Sequence, residues 1–201
     1  MRPMPDPRPP DQQARHGRLH WTEPAAMTAE QRAIYDGVLA KYGPEPPFPL
    51  TDAAGRLHGP FNAMLAAPGV GAALQALSAA VGGRTSLAPR VRETVILAVA
   101  AARASAFELA AHTAAGAAAG LTSDEIATLC DGTAPASLAA DEQAAHAFAA
   151  SLLRDGDADD ACYVRAERHF GEAGIVELIT LVGYYDLLAT LLRTLRVPVP
   201  E

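Results

Sequence analysis

The stretch Pro89-Arg-Val-Arg-Glu93-Thr-Val-Ile-Leu-Ala-Val-Ala-Ala-Ala-Arg103, followed after Ala104 by Ser105-Ala-Phe-Glu108-Leu-Ala-Ala-His112, decides the fold. Proline at a first-turn position opens a helix to Arg103, because its missing N–H is one a helix start leaves unbonded. A second helix follows from Ala106 to Ala119, closed by Gly120. Working outward, Thr28 and Gln31 have the spacing of a reciprocal cap and predict a helix over Ala29 to Tyr42, ended by Gly43 and Pro44. The proline-rich segment 43–60 reads as a long irregular connection whose Phe48, Leu50 and Leu57 pack down. Helices are further expected over Phe61 to Ala66, Val70 to Val81, a short one capped by Thr122 and reaching Cys130, Ala140 to Arg154, Asp159 to Phe170 and Gly174 to Leu195. The fold class is all-α, a single-domain bundle of about seven or eight helices.

Composition agrees. Alanine is abundant and aromatics make up 5% of the chain, which favours helices over strands. The 201 residues, half of them hydrophobic, can bury one sizeable core. Residues 1–20 carry Pro3, Pro5, Pro7, Pro9 and Pro10 among charged groups and read as a disordered Pro/Arg-rich tail, with the folded domain over 21–201. A net charge of -7 without a basic block argues against nucleic acid. The longest apolar stretch, Val95 to Ala102, is far short of the roughly 20 residues a membrane span needs, so no membrane partner and a cytoplasmic location are expected. In the last helix Ile175, Leu178, Ile179, Val182, Leu188, Leu191, Leu192 and Leu195 form an apolar surface too broad for a peripheral helix; it is central or lines a subunit interface. Gly116 and Gly120 among alanines permit close helix approach.

Ser105, Glu108 and His112 stand at i, i+3 and i+7 and share one helix face. If the two helices pair as an antiparallel hairpin, the Glu93 carboxylate comes near that face. Histidine exchanges protons near neutral pH, and a carboxylate beside it fixes its tautomer and raises its basicity. His112, Glu93 and Glu108 are therefore the candidate catalytic residues. Ser105 and Glu108 also have the S-x-x-E spacing of a capping box, and a cap is the favoured reading of Ser105, with substrate binding the alternative. Arg90 is a candidate anion anchor, since its guanidinium offers a fixed fork of donors. Tyr184 and Tyr185 could donate to a substrate oxygen, or simply pack. No metal site is expected: there is no H-x-x-x-H and no E-x-x-H. Cys130 and Cys162 form neither a C-x-x-C pair nor part of a zinc cluster.

The run from Arg90 to Ala100, then Ser105 to His112, then Ala119-Gly120-Leu121-Thr-Ser-Asp-Glu125-Ile126, resembles the carboxymuconolactone decarboxylase and alkylhydroperoxidase D superfamily. Flanking segments Gly59-Pro-Phe-Asn62-Ala-Met-Leu65, Phe170-Gly-Glu-Ala-Gly174-Ile-Val-Glu-Leu178, Gly183-Tyr-Tyr185 and Val197-Pro-Val-Pro200 extend the resemblance over most of residues 45–200. It implies an alkylhydroperoxidase D-like bundle, a homo-oligomer, and acid/base chemistry without a cofactor on a small organic acid or lactone: decarboxylation, isomerisation or lactone opening. In the peroxidase branch a C-x-x-C pair precedes the histidine. Ser105 and Glu108 occupy those positions here, so the thiolate attacker and resolving thiol of peroxide reduction are missing. The decarboxylase-like branch commonly has Tyr-Glu-Trp where this chain has Phe107-Glu108-Leu109, which makes Phe107 an expected pocket residue and the pocket more apolar. Arg193 stands where the family often has asparagine. The competing expectation is a non-catalytic helical oligomer or ligand-binding protein that keeps the fold.

Overall fold

The computed structural model describes residues 15–46 and 48–200. Among them are eight helices: α1 (Ala29–Tyr42), α2 (Pro60–Ala66), α3 (Pro68–Gly83), α4 (Pro89–Ala102), α5 (Ala106–Ala118), α6 (Ser123–Cys130), α7 (Ala140–Asp155) and α8 (Asp160–Thr194). A two-stranded hairpin, β1 (Arg15–His16) and β2 (Leu19–His20), precedes them. The all-α expectation therefore holds. Contacts divide the chain into two compact units, one of Met1–Gln75 with Leu192–Glu201 and the other of Ala76–Leu191.

In the first unit, the Thr28 and Gln31 cap forms as its spacing requires: the Gln31 N–H donates to Thr28 Oγ1 at 3.2 Å and the Thr28 N–H to Gln31 Oε1 at 2.9 Å. The connection after α1 packs down as expected, with Leu57 and Leu50 buried and Phe48 stacked on Phe61. One expectation fails. The predicted tail over 1–20 lies outside the described residues as far as residue 14, but residues 15–20 are an ordered hairpin. His16 is 1% exposed, stacks on Trp21 and accepts the Gly59 N–H at 2.9 Å. Arg18 bonds carbonyls at the end of the chain's final helix and just beyond it, its guanidinium to Thr194 O at 3.1 Å and its N–H to Leu195 O at 2.7 Å. At Gly17, φ +68°, a Cβ would sit 2.3 Å from Leu195 O, so only glycine fits the turn. Partners so distant in sequence order a segment whose composition favours disorder.

In the second unit α4 is central. Every residue from Thr94 to Ala100 is buried, and α4 packs against α5, α6 and α7. Leu97 joins Leu121, Ile126, Leu129 and Leu138 in one apolar cluster, with Leu109 and Cys130 against it. Gly116 permits that packing, since a Cβ there would lie 3.2 Å from Leu121 Cδ1 and 3.5 Å from Leu97 Cδ1. Gly120 does not mediate helix packing; its φ of +94° turns the chain out of α5.

The last helical run is interrupted at Gly171 (φ 64°, ψ 179°), which separates the two predicted helices. By length and composition it is apolar enough to cross a membrane, and 44% of its apolar window is buried inside the protein. Leu178, Leu181, Val182, Leu188 and Leu192 are buried whereas Val176, Ile179 and Leu187 are exposed. Centrality thus belongs to α4, and α8 keeps one apolar stripe outward.

Candidate active site

The site begins with the α4–α5 hairpin. Only Arg103, Ala104 and Ser105 connect the helices, and Ala104 adopts φ +48°, a conformation that disfavours any residue with a Cβ. The tight reversal makes the helices antiparallel neighbours and lays α5's Ser105/Glu108/His112 face against α4. His112 Nδ1 lies 2.7 Å from Glu93 Oε2, with the two side chains 17% and 12% exposed. The expected pairing across the hairpin is therefore present. In the tautomer it selects, Nδ1–H donates to Glu93 and Nε2 is left with its lone pair. Tyr185 packs edge-on against the imidazole at 5.0 Å between ring centres, and Tyr184 packs edge-on against Tyr185 at 5.3 Å.

Glu108, one turn N-terminal to His112, is 3% exposed, and neither carboxyl oxygen has a hydrogen-bond partner. Burial pushes its pKa up to about 8; the neighbouring Ser105 hydroxyl pulls the other way, and the Asp186 charge adds to the rise. The group is therefore mostly a neutral acid at pH 7. Ser105, also buried, stands at the helix N-cap but makes no capping bond. The favoured reading of Ser105 as a cap is corrected here. Glu108 turns inward instead of reaching back to the Ser105 N–H, so the reciprocal cap cannot close.

Arg90 is not at this site either. Its guanidinium bridges Glu142, at 2.6 Å, and Glu125, at 3.3 Å, and also donates to the Gly120 carbonyl. Both carboxylates are nearly buried and held below the usual glutamate range, Glu142 chiefly by Arg90 and Glu125 chiefly by the Thr122 N–H. This arginine ties α4, α6 and α7 together and is spent on that task, so the predicted anion anchor is a structural tie. Phe107 is buried in α5. Tyr184 is 4% exposed, its hydroxyl bonded to Ser78, and burial pushes its pKa up to about 12.

Sequence reasoning missed Ser78 and the Arg103–Asp186 ion pair, whose charges lie at the mouth of the hairpin and next to Tyr185. Asp186 carried a signal: it is an acid inside the apolar run from Ile175 to Leu192. Among the described residues no group of three or more His, Cys, Asp or Glu side chains could hold a metal ion.

Residues 68–151, which contain the dyad, match the carboxymuconolactone decarboxylase family. Similar solved structures include an alkylhydroperoxidase AhpD core, an uncharacterized peroxidase-related protein from Ralstonia eutropha, at 17% identity and TM-score 0.76 over 93% of this chain and 94% of that one. A second uncharacterized peroxidase-related protein, from Silicibacter, is 16% identical with TM-score 0.70, covering 98% and 95% of the respective chains. The debrominase Bmp8, solved as a variant in complex with 2,3,4-tribromopyrrole, is 11% identical with TM-score 0.65 over 86% and 87%. At these identities the likeness is one of fold. No curated protein sequence matches the chain.

Proposed function

We propose that the chain is a cofactor-independent acid/base enzyme acting on a small organic acid or lactone, a reading supported by the match of residues 68–151 to the carboxymuconolactone decarboxylase family and by the fold shared with AhpD-like proteins. The observation that carries this reading is the 2.7 Å contact between His112 Nδ1 and Glu93 Oε2. Glu93 positions the imidazole and offsets the positive charge it gains, so Nε2 can take a proton from substrate and return it. Glu108 complements it: a carboxyl that burial keeps mostly protonated shares one helix face with the imidazole. In a decarboxylation, Nε2 first takes the proton of the substrate's acid group, the electrons of the breaking C–C bond enter a conjugated carbonyl as CO2 leaves, and the same proton is delivered to carbon, restoring the neutral imidazole. The same set serves isomerisation or lactone opening.

Thiol peroxidase chemistry has no support. The positions before His112 are Ser105 and Glu108, and the two cysteines, both free, lie on α6 and α8. Self-association is part of the proposal, supported by the exposed stripe of Val176, Ile179 and Leu187.

The test is turnover across a panel of unsaturated lactones and lactone acids, followed by the loss of their ultraviolet absorbance. His112→Ala is expected to lower kcat about 100-fold or more on whichever compound the protein converts, with the helical circular dichroism retained. Equal turnover in His112→Ala would remove the dyad from the chemistry, and saturable binding without turnover would favour a ligand-binding protein.

A further inference from the structure

A hollow of 540 Å³ lies between α7, the loop that precedes it and the first half of α8, and shares no residue with the Glu93–His112 site. Its floor is made by Ala140, Ala144 and Ala147, spaced four and three residues apart on one face of α7. Methyl side chains in that row leave the space that larger ones would fill. Across it stand Arg165 and His169, one turn apart on α8, and His146 forms part of the wall from α7.

His169 lies 6.1 Å from the Phe170 ring, while Arg165 and His146 have few bonds within the chain. Arg165 forms no ion pair among the described residues; its recorded contact is a 4.0 Å approach to Cys162 Sγ. His146 is 8% exposed and makes no hydrogen bond among the described residues, and burial lowers its pKa, so its ring enters the hollow as a neutral imidazole. An open concavity of several hundred Å³, lined by apolar and polar groups in similar measure, has room for a small molecule that presents both.

We infer that this hollow, outside the proposed active site, binds a small organic carboxylate, with its flat apolar body on the Ala140/Ala144/Ala147 floor and its carboxylate in the Arg165 fork. Guanidinium pairs with a carboxylate through two parallel N–H bonds, and the His169 and His146 rings offer a further donor or acceptor at its edge. The alanine floor selects against compact, fully hydrated anions, which gain nothing from apolar contact.

Sodium benzoate and inorganic phosphate are suitable probes, titrated separately into the full chain by calorimetry and by two-dimensional amide NMR. Saturable benzoate binding is expected, with shifts at Ala144, Ala147, Arg165 and His169 and much weaker phosphate binding. The double substitution Arg165→Ala/His169→Ala is expected to weaken benzoate about tenfold or more. Both positions are exposed on a helix, where alanine is well tolerated, and circular dichroism checks the fold. Arg165→Lys keeps the charge without the fork and should recover part of the affinity. His112→Ala should bind benzoate as the parent does, which separates this site from the proposed catalytic one. The inference is overturned if benzoate binding is absent or unchanged in the double variant, if phosphate binds as tightly, or if His112→Ala abolishes it.

Discussion

Replacing Glu108 by glutamine tests whether a neutral acid is built into this fold. The carboxyl is 3% exposed with both oxygens unpartnered, and its pKa stands at about 8 against an ordinary 4.5. Between those values the unfolded chain has released the Glu108 proton and the folded chain has kept it. The folded state therefore binds more protons, and stability falls as pH rises, by about 1.4 kcal/mol per pH unit from this one group. Its contribution is fully present below the unfolded value and is lost as pH climbs to the folded one, a total on the order of 5 kcal/mol. Glutamine keeps the shape and removes the titration. Its own buried amide shifts the whole curve, so the informative quantity is the difference between parent and variant as a function of pH. Guanidinium chloride unfolding at about pH 5, 6, 7 and 8, at constant ionic strength, measures it. The parent is expected to lose several kcal/mol relative to Glu108→Gln across that range. A difference constant to within about 1 kcal/mol would show that Glu108 ionises in the fold, and the neutral-acid role would fall with it.

Arg90→Ala is expected to destabilise by about 2–3 kcal/mol, because Glu125 and Glu142 would stay nearly buried without their cation; the partial exposure of Arg90 keeps the loss below that of a fully buried pair. Thermal unfolding reads this, and turnover per folded molecule should not change. Gly71→Ala would place a Cβ 2.1 Å from the Met64 carbonyl oxygen, a backbone atom that cannot swing away, so about 2 kcal/mol of stability should be lost in a denaturant titration. Glu93→Gln should lower kcat more than it raises KM on the compound identified by the lactone panel, since it removes the charge that offsets the imidazolium while leaving a hydrogen-bond acceptor; an unchanged kcat would restrict Glu93 to packing.

Helices α1, α4, α5 and α6 were legible because their signals are local. Thr28/Gln31 and Thr122/Glu125 close caps within four residues, and Pro89 and Gly120 mark ends through their own backbone constraints. The site was legible as far as spacing reaches: Ser105, Glu108 and His112 had to share a face. The roles of Arg90 and Ser105 were misread because each depends on partners that spacing does not disclose. Arg90 found carboxylates 35 and 52 positions away, and Ser105 lost its cap when Glu108 turned into the core. The hairpin at 15–20 was misread for the same reason, since Gly59 and Leu195 order it and its own composition does not.

The sequence by itself determined an all-helical chain, the shared face of α5, and the absence of a thiol pair before His112, because helix periodicity and residue identity are written along the chain. Only the tertiary structure decided that Glu93 reaches His112, that Glu108 is shut away from water, and that Arg90 belongs to the scaffold. Those outcomes depend on which side chains meet across helices and how much solvent each keeps, and both are set by packing between segments distant in sequence.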